Sequence, residues 1–166
     1  MPGGRAVVVC DACVLINFLV VGRLDLLSEN PAFRFVVTEH VIEEITDLAQ
    51  KENLAAALRE GKIQQIDLTD PEGLALFAEL RKTLGSGEAA AIALAAQRSW
   101  AIATDDSGTR RQVESYLGRG RLLTTPGILL QAIRGGVLTV QEADGIKANL
   151  EAHRFKMSFR SFADLI

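Results

Sequence analysis

The stretch VVVCDACVLINFLV, residues 7–20, decides the fold. Val7, Val8, Val9 and Cys10 form a short continuous apolar run rich in β-branched residues. That is the pattern of a strand buried on both faces of a parallel sheet. Val14, Leu15, Phe18 and Leu19 then recur at helical spacing, so the strand is expected to pass directly into a helix. Asp11 stands at the junction, where the carboxyl end of the strand meets the first helical turn. In open α/β sheets that edge is where ligands bind. A carboxylate set between two apolar runs costs several kcal/mol of desolvation unless a cation or hydrogen-bond donors compensate it. Asp11 is then either a cap on the following helix or part of a charged site, and the remaining acidic residues decide.

Downstream, Gly22 breaks the first helix, and Leu24, Leu26 and Leu27 suggest a short second one ending near Asn30 and Pro31. Phe33 to Val37 reads as a strand. Thr38 offers a cap for the helix EHVIEEITDLAQK, in which Val41, Ile42, Ile45, Leu48 and Ala49 make one apolar stripe. Glu39, Glu43, Asp47 and Gln50 lie opposite. Glu44 falls at the border, about 40° from Leu48 on a 100° wheel, where a carboxylate is half buried and aimed at a neighbour. Residues 52–61 continue as a helix closed by Gly61. Ile63 to Leu68 is a strand or extended connector, and Asp70-Pro71 opens a helix running to about Leu84.

The segment GSGEAAAIALAAQRS comes next, with Ser86 as a candidate cap and Glu88 in the first turn of an alanine-rich helix. An acidic residue there stabilises the helix dipole. The small residues around it also let the helix press on the sheet and aim a carboxylate into a shared cleft. Trp100 to Ala103 is a short strand followed by Thr104, Asp105 and Asp106, so a second strand ends in acid. Arg121 to Thr124 reads as a last strand. Pro126 opens a helix ending at Gly135-Gly136, and Val140 to Leu150 is amphipathic. The tail HRFKMSFRSFADLI concentrates Phe155, Met157, Phe159 and Phe162 among basic residues, as expected of a segment that docks on the domain or meets a partner.

The 166 residues, 48% hydrophobic and 23% charged, suit one globular domain with a substantial core. No apolar run reaches the roughly 18 residues that span a bilayer. The start MPGGRAVVV has no separate leader pattern, so a cytoplasmic protein is expected. Net charge is −3, which does not advertise nucleic-acid binding, but its distribution is uneven. Residues 1–97 hold 8 Lys+Arg against 14 Asp+Glu; residues 98–166 hold 10 against 7. Arg110, Arg111 and the later cations make either a phosphate-facing surface or a scatter of solvated side chains. Cys10 and Cys13 form a C-x-x-C pair, the context of a thiol oxidoreductase. Asp11 between them opposes a thiolate, and small core residues are the plainer reading.

Asp11, Glu44, Glu88 and Asp106, with Asp105 beside the last, come from separate segments that an α/β fold gathers at one sheet edge. Clustered carboxylates repel, and several kept ionised together require a cation. Oxygen-only ligation selects Mg²⁺ or Mn²⁺. Such ions activate water and stabilise charge in phosphodiester hydrolysis. Neither histidine lies in a nucleophile context, and no Walker A loop or G-x-G-x-x-G is present.

DACVLINFL, VIEEI, GSGEAAAIALA and IATDDSGTRR, in this order and spacing, resemble the acidic motifs of the PIN-domain family, which includes the VapC-like ribonuclease toxins of type II toxin–antitoxin modules. The resemblance covers a core of about residues 6–125, with residues 126–166 compatible with the family's final helices. It implies a single PIN-like domain over 1–166, a three-layer α/β/α sandwich with a central, mainly parallel sheet. It further implies a Mg²⁺- or Mn²⁺-dependent endoribonuclease cutting single-stranded RNA, a small antitoxin partner and a homodimer. By the same resemblance Asp11, Glu44, Glu88 and Asp106 are catalytic. Asp11, Glu88 and Asp106 hold the metal, with Asp105 as an auxiliary ligand. Asn17 and Thr104 support them, and Arg110 and Arg111 face the RNA. Many members carry Ser or Thr where this chain has Cys13, a departure that removes a hydroxyl but no metal ligand. A non-catalytic RNA- or protein-binding module is the competing reading, and the retained carboxylates argue against it.

Overall fold

The computed structural model describes residues 4–166. Met1 to Gly3, the beginning of the segment read as lacking a leader, lie outside the described residues. The central strand is β1 (Ala6–Cys10), and it runs through Asp11 into α1 (Ala12–Val20) as the apolar pattern dictates. A short α2 (Asp25–Ser28) leads to β2 (Phe33–Val37). Next come α3 (Glu39–Glu44), α4 (Leu48–Arg59), β3 (Gln64–Gln65) and α5 (Pro71–Leu80). The chain continues through α6 (Ser86–Arg98), β4 (Ala101–Ala103) and α7 (Ser107–Leu117). It ends with β5 (Leu122–Leu123), α8 (Thr125–Arg134), α9 (Val140–Ala152) and a 3-10 turn at Phe162–Leu165.

The five strands form one sheet in the order β3-β2-β1-β4-β5, and every pairing is parallel. Strand alternation sends side chains to two separate cores. Val8, Cys10, Phe35, Val37 and Ala103 face α1, α2, α4, α8 and α9. Val9, Val36 and Ile102 face α5, α6 and α7. This is the expected α/β/α sandwich. The alanines of α6 explain its closeness to the sheet: Ala89 to Ala95 are all buried. Among the described residues, no helix is long and apolar enough to cross a membrane.

The expected helix over residues 39–51 is instead two. Ile45 adopts an extended backbone, and Asp47 starts α4 by accepting from the Gln50 N–H at 3.0 Å. The apolar stripe therefore does not continue past Ile45, and Leu48 is 76% exposed. Two side-chain caps, Thr38 and Asp47, within nine residues are the physical cause, since each satisfies the orphan N–H groups of its own helix. Three smaller differences follow the same logic. Gly85, not Ser86, stands at the N-cap of α6. The helix opened by Pro71 ends at Leu80, four residues early. The strand expected over 63–68 pairs only at Gln64 and Gln65 on the sheet edge.

Candidate functional site

In this strand order, β2 and β3 lie on one side of β1, and β4 and β5 on the other. The carboxyl ends of β1 and β4 therefore flank the point where the winding reverses, the crevice that binds ligands in open parallel sheets. Asp11 follows β1 directly. Thr104, Asp105 and Asp106 follow β4. Cys10 pairs with Ala103, and the Asp11 N–H donates to the Ala103 carbonyl at 2.9 Å, so the two acidic turns sit side by side.

Asp11 is 2% exposed. Its Oδ1 accepts from the Ala12 N–H at 2.9 Å, so it does cap α1. Its Oδ2 accepts from the Thr104 hydroxyl at 2.8 Å and from the Cys13 thiol at 3.6 Å. Burial pushes the Asp11 carboxyl up to about 6, the Thr104 hydroxyl opposes that rise, and Glu88 reinforces it. Cys13 also accepts from the Asp105 N–H at 3.4 Å. Burial pushes the Cys13 thiol up to about 11 and the Cys10 thiol well above its ordinary range, with Asp11 acting in the same direction. Both cysteines are free. A redox C-x-x-C needs the opposite, a lowered thiol pKa.

Glu44 closes α3 and is exposed as a residue, where half-burial was expected. Its carboxylate nonetheless turns in, accepting from the Gly87 N–H at 3.0 Å. A Cβ on Gly87 would fall 2.7 Å from the Glu44 Cδ and closer still to Oε1, so glycine makes this approach possible. Burial raises the Glu44 carboxyl above its usual range, and Glu88 adds to it. Glu88, one residue on from Gly87, thus acts on both Asp11 and Glu44 and lies between their fields.

Asp105 and Asp106 diverge. Asp105 Oδ1 accepts from the Thr125 N–H at 2.8 Å, and Oδ2 accepts from the Thr125 hydroxyl and from Asn17 Nδ2 at 3.2 Å. Burial raises its carboxyl, with the Thr125 hydroxyl and N–H opposing. Asp106 is exposed at the N-cap of α7, where its Oδ2 accepts from the Thr109 N–H at 2.7 Å and hydroxyl at 2.8 Å. These donors hold it below the usual carboxylate range. Arg110 donates to the Asp105 carbonyl at 3.0 Å, and Arg111 is exposed on the same helix.

The structure therefore brings Asp11, Thr104, Asn17, Asp105 and Asp106 to one sheet edge, and Glu88 acts on Asp11 and, separately, on Glu44. Among the described residues, no Lys or Arg forms an ion pair with any of these five carboxylates. Among the described residues, no three of these side chains stand close enough together to hold one metal ion. Burial raises the Asp11, Glu44 and Asp105 carboxyls, Glu88 adds to the rise at Asp11 and Glu44, and Thr109 holds Asp106 low. Carboxylate oxygens of this kind are the donors that hard divalent cations take. Gly87 makes the close backbone approach that the two glycines of GSGE suggested, here to the Glu44 carboxylate. Two contributors escaped the sequence reading. Thr109 was visible as the fourth residue of D-S-G-T. Thr125, beside the Pro126 of a helix start, carried the capping pattern T-T-P.

Residues 7–166 match the family model DUF3368, described as a PIN domain. No curated protein matches the chain.

Proposed function

The chain belongs to the PIN-domain family, nuclease-type domains that generally use divalent metal ions on nucleic acid, and from that premise we propose that it is a Mg²⁺- or Mn²⁺-dependent endoribonuclease cutting single-stranded RNA. The observation that supports this reading is geometric: the buried Asp11 at the end of β1 accepts from Thr104 at the end of β4, Asp105 and Asp106 follow directly, and among the described residues no Lys or Arg side chain pairs with these carboxylates. Asp11, Glu88 and Asp106 would hold the ion, with Asp105 auxiliary and Glu44 completing the catalytic set. When bound, a divalent ion neutralises the carboxylates, acidifies water and stabilises charge on the phosphate oxygens. The chain's own residues fix the geometry. Thr104 and Cys13 orient Asp11, Asn17 and Thr125 steady Asp105, Thr109 steadies Asp106, and the Gly87 N–H holds Glu44. Arg110 and Arg111 are proposed to meet the RNA backbone.

The order and spacing of the acidic motifs support a finer reading, a VapC-like toxin acting in the cytoplasm as a homodimer restrained by a small antitoxin. A short DNA-binding protein encoded immediately upstream, and relief of growth arrest by its co-expression, would support that role. The nuclease itself is tested by single-stranded RNA cleavage with Mg²⁺, Mn²⁺ or EDTA, using wild type and Asp11→Asn. Cleavage is expected only with ion and only by wild type. Undiminished cleavage by Asp11→Asn with an unchanged fold would refute the assignment. Calorimetric titration with Mn²⁺ separates it from a pure binding module, which has no need of the ion.

A further inference from the structure

A cavity of about 410 Å³ opens beside the acidic turn, between Asp105–Arg110, the start of α8 and the C-terminal segment 155–159. Resting on the ribonuclease reading, we propose that this cavity seats an unpaired nucleotide of the RNA strand next to the linkage that is cut.

Its outer wall is built by strict alternation. Phe155, Met157 and Phe159 are half-buried against the core, whereas Arg154, Lys156, Ser158 and Arg160 between them are exposed. The wall is braced from behind. The Ser161 hydroxyl and the Phe162 N–H both donate to Asp144, at 2.7 and 2.9 Å, and the Phe162 ring is fully buried. Phe159 meets Phe162 edge-on with centroids 4.8 Å apart, and Lys147 Nζ lies 5.8 Å from its ring centre. An aromatic wall already fixed in place loses little conformational freedom when a flat ring lies against it.

The inner wall continues the proposed site. Asp105 lines the cavity, and its neighbours Thr104 and Asp106 belong to the carboxylate cleft. Arg110 and Lys156 also line it, one from each wall. Aromatic rings for a base, with two cations for phosphates, are the parts from which single-strand sites are made. The acidic cleft alone would repel a polyanion. Arg110 and Lys156 offset that repulsion at the cavity's two walls.

The test uses fluorescently labelled single-stranded RNA, with binding followed by anisotropy in Asp11→Asn and steady-state cleavage followed in the wild-type background. Phe155→Leu keeps the bulk and removes the π face; it should weaken binding about tenfold, as one lost base stack does. In cleavage it should raise KM by that factor with little change in kcat. The effect should vanish on RNA made abasic at the seated position. Lys156→Gln, an exposed change that leaves packing intact, should reduce the slope of log K against log salt by about 0.7. Wild-type cleavage with both variants indistinguishable from it would overturn the subsite and leave the nuclease standing. Absence of binding and cleavage by wild type itself would overturn both.

Discussion

The turns after β1 and β4 are the same device made twice. In each, a short buried strand ends, an aspartate accepts from the first N–H groups of a helix, and the helix departs across the sheet. Asp11 and Asp106 are both N-caps. Their chemistry is nevertheless opposite. Asp11 is 2% exposed and pushed up to about 6, whereas Asp106 faces solvent and is held below its usual range. Capping supplies donors to both, so capping does not make the difference. Burial does, because desolvating a carboxylate outweighs two or three hydrogen bonds when no cation is paired to it. Whether an aspartate serves as cap or as site residue is therefore a false choice at Asp11.

The largest break in this comparison should come from Asp11→Asn. Several kcal/mol of ion-derived charge stabilisation are at stake, so metal-dependent cleavage should fall by more than about a hundredfold. Next comes Thr104→Val, which removes the 2.8 Å donor from the buried carboxylate. Support lost from behind a metal-holding group costs about 10–100-fold in activity, and the acidic limb of the pH–rate profile should move to higher pH. The matching change at the exposed turn, Thr109→Val, removes the hydroxyl donor from Asp106 but leaves the Thr109 N–H on it, so activity should fall by less than in Thr104→Val, about tenfold or under. Equal losses from the two threonine variants would erase the distinction drawn here.

The pH dependence sharpens it further. The folded Asp11 binds its proton more tightly than an ordinary aspartate, 3.8 moving to about 6. Its contribution to stability is therefore complete below about pH 4 and is withdrawn as pH climbs through 6. In EDTA, wild type should lose roughly 2.4 kcal/mol relative to Asp11→Asn between pH 4 and 7, at about 1.36 kcal/mol per unit. Mn²⁺ at a hundred times its Kd should return about 2.7 kcal/mol. Asp106 has the reverse sign, its stabilisation fading as pH falls, and wild type should show a slight trend of that kind relative to Asp106→Asn. A stability difference between wild type and Asp11→Asn that stays flat across this range would contradict the burial argument. The smallest effect is Cys13→Ser. The serine hydroxyl donates to Asp11 in place of the thiol, and cleavage should change by no more than a few-fold.

The strands and the strand-end acids were legible because their signals are local. Residues 6–10 and 33–37 are β-branched or aromatic runs, and Asp11 and Asp106 interrupt chain segments whose type is unmistakable. The break between α3 and α4 was not legible from periodicity, because Ile45 and Leu48 keep helical spacing across a cap that interrupts the helix. The helix-borne carboxylates were placed through the resemblance and the wheel together. The wheel gave Glu44 its border position but not its exposure, since the Gly87 N–H that captures it lies 43 residues away. Thr125 stayed hidden for the same reason: its partner Asp105 is 20 residues distant. Side-chain bonds between remote segments leave no periodic trace.

The central strand has a temporal meaning as well as a spatial one. Asp11 is polymerised 93 positions before the residue whose hydroxyl orients it. At about 5–20 residues per second, roughly 5–20 s of translation separate the two. A nascent chain thus presents the Asp11 carboxylate before its Thr104 partner exists, and the proposed site can assemble only after β4 has been made.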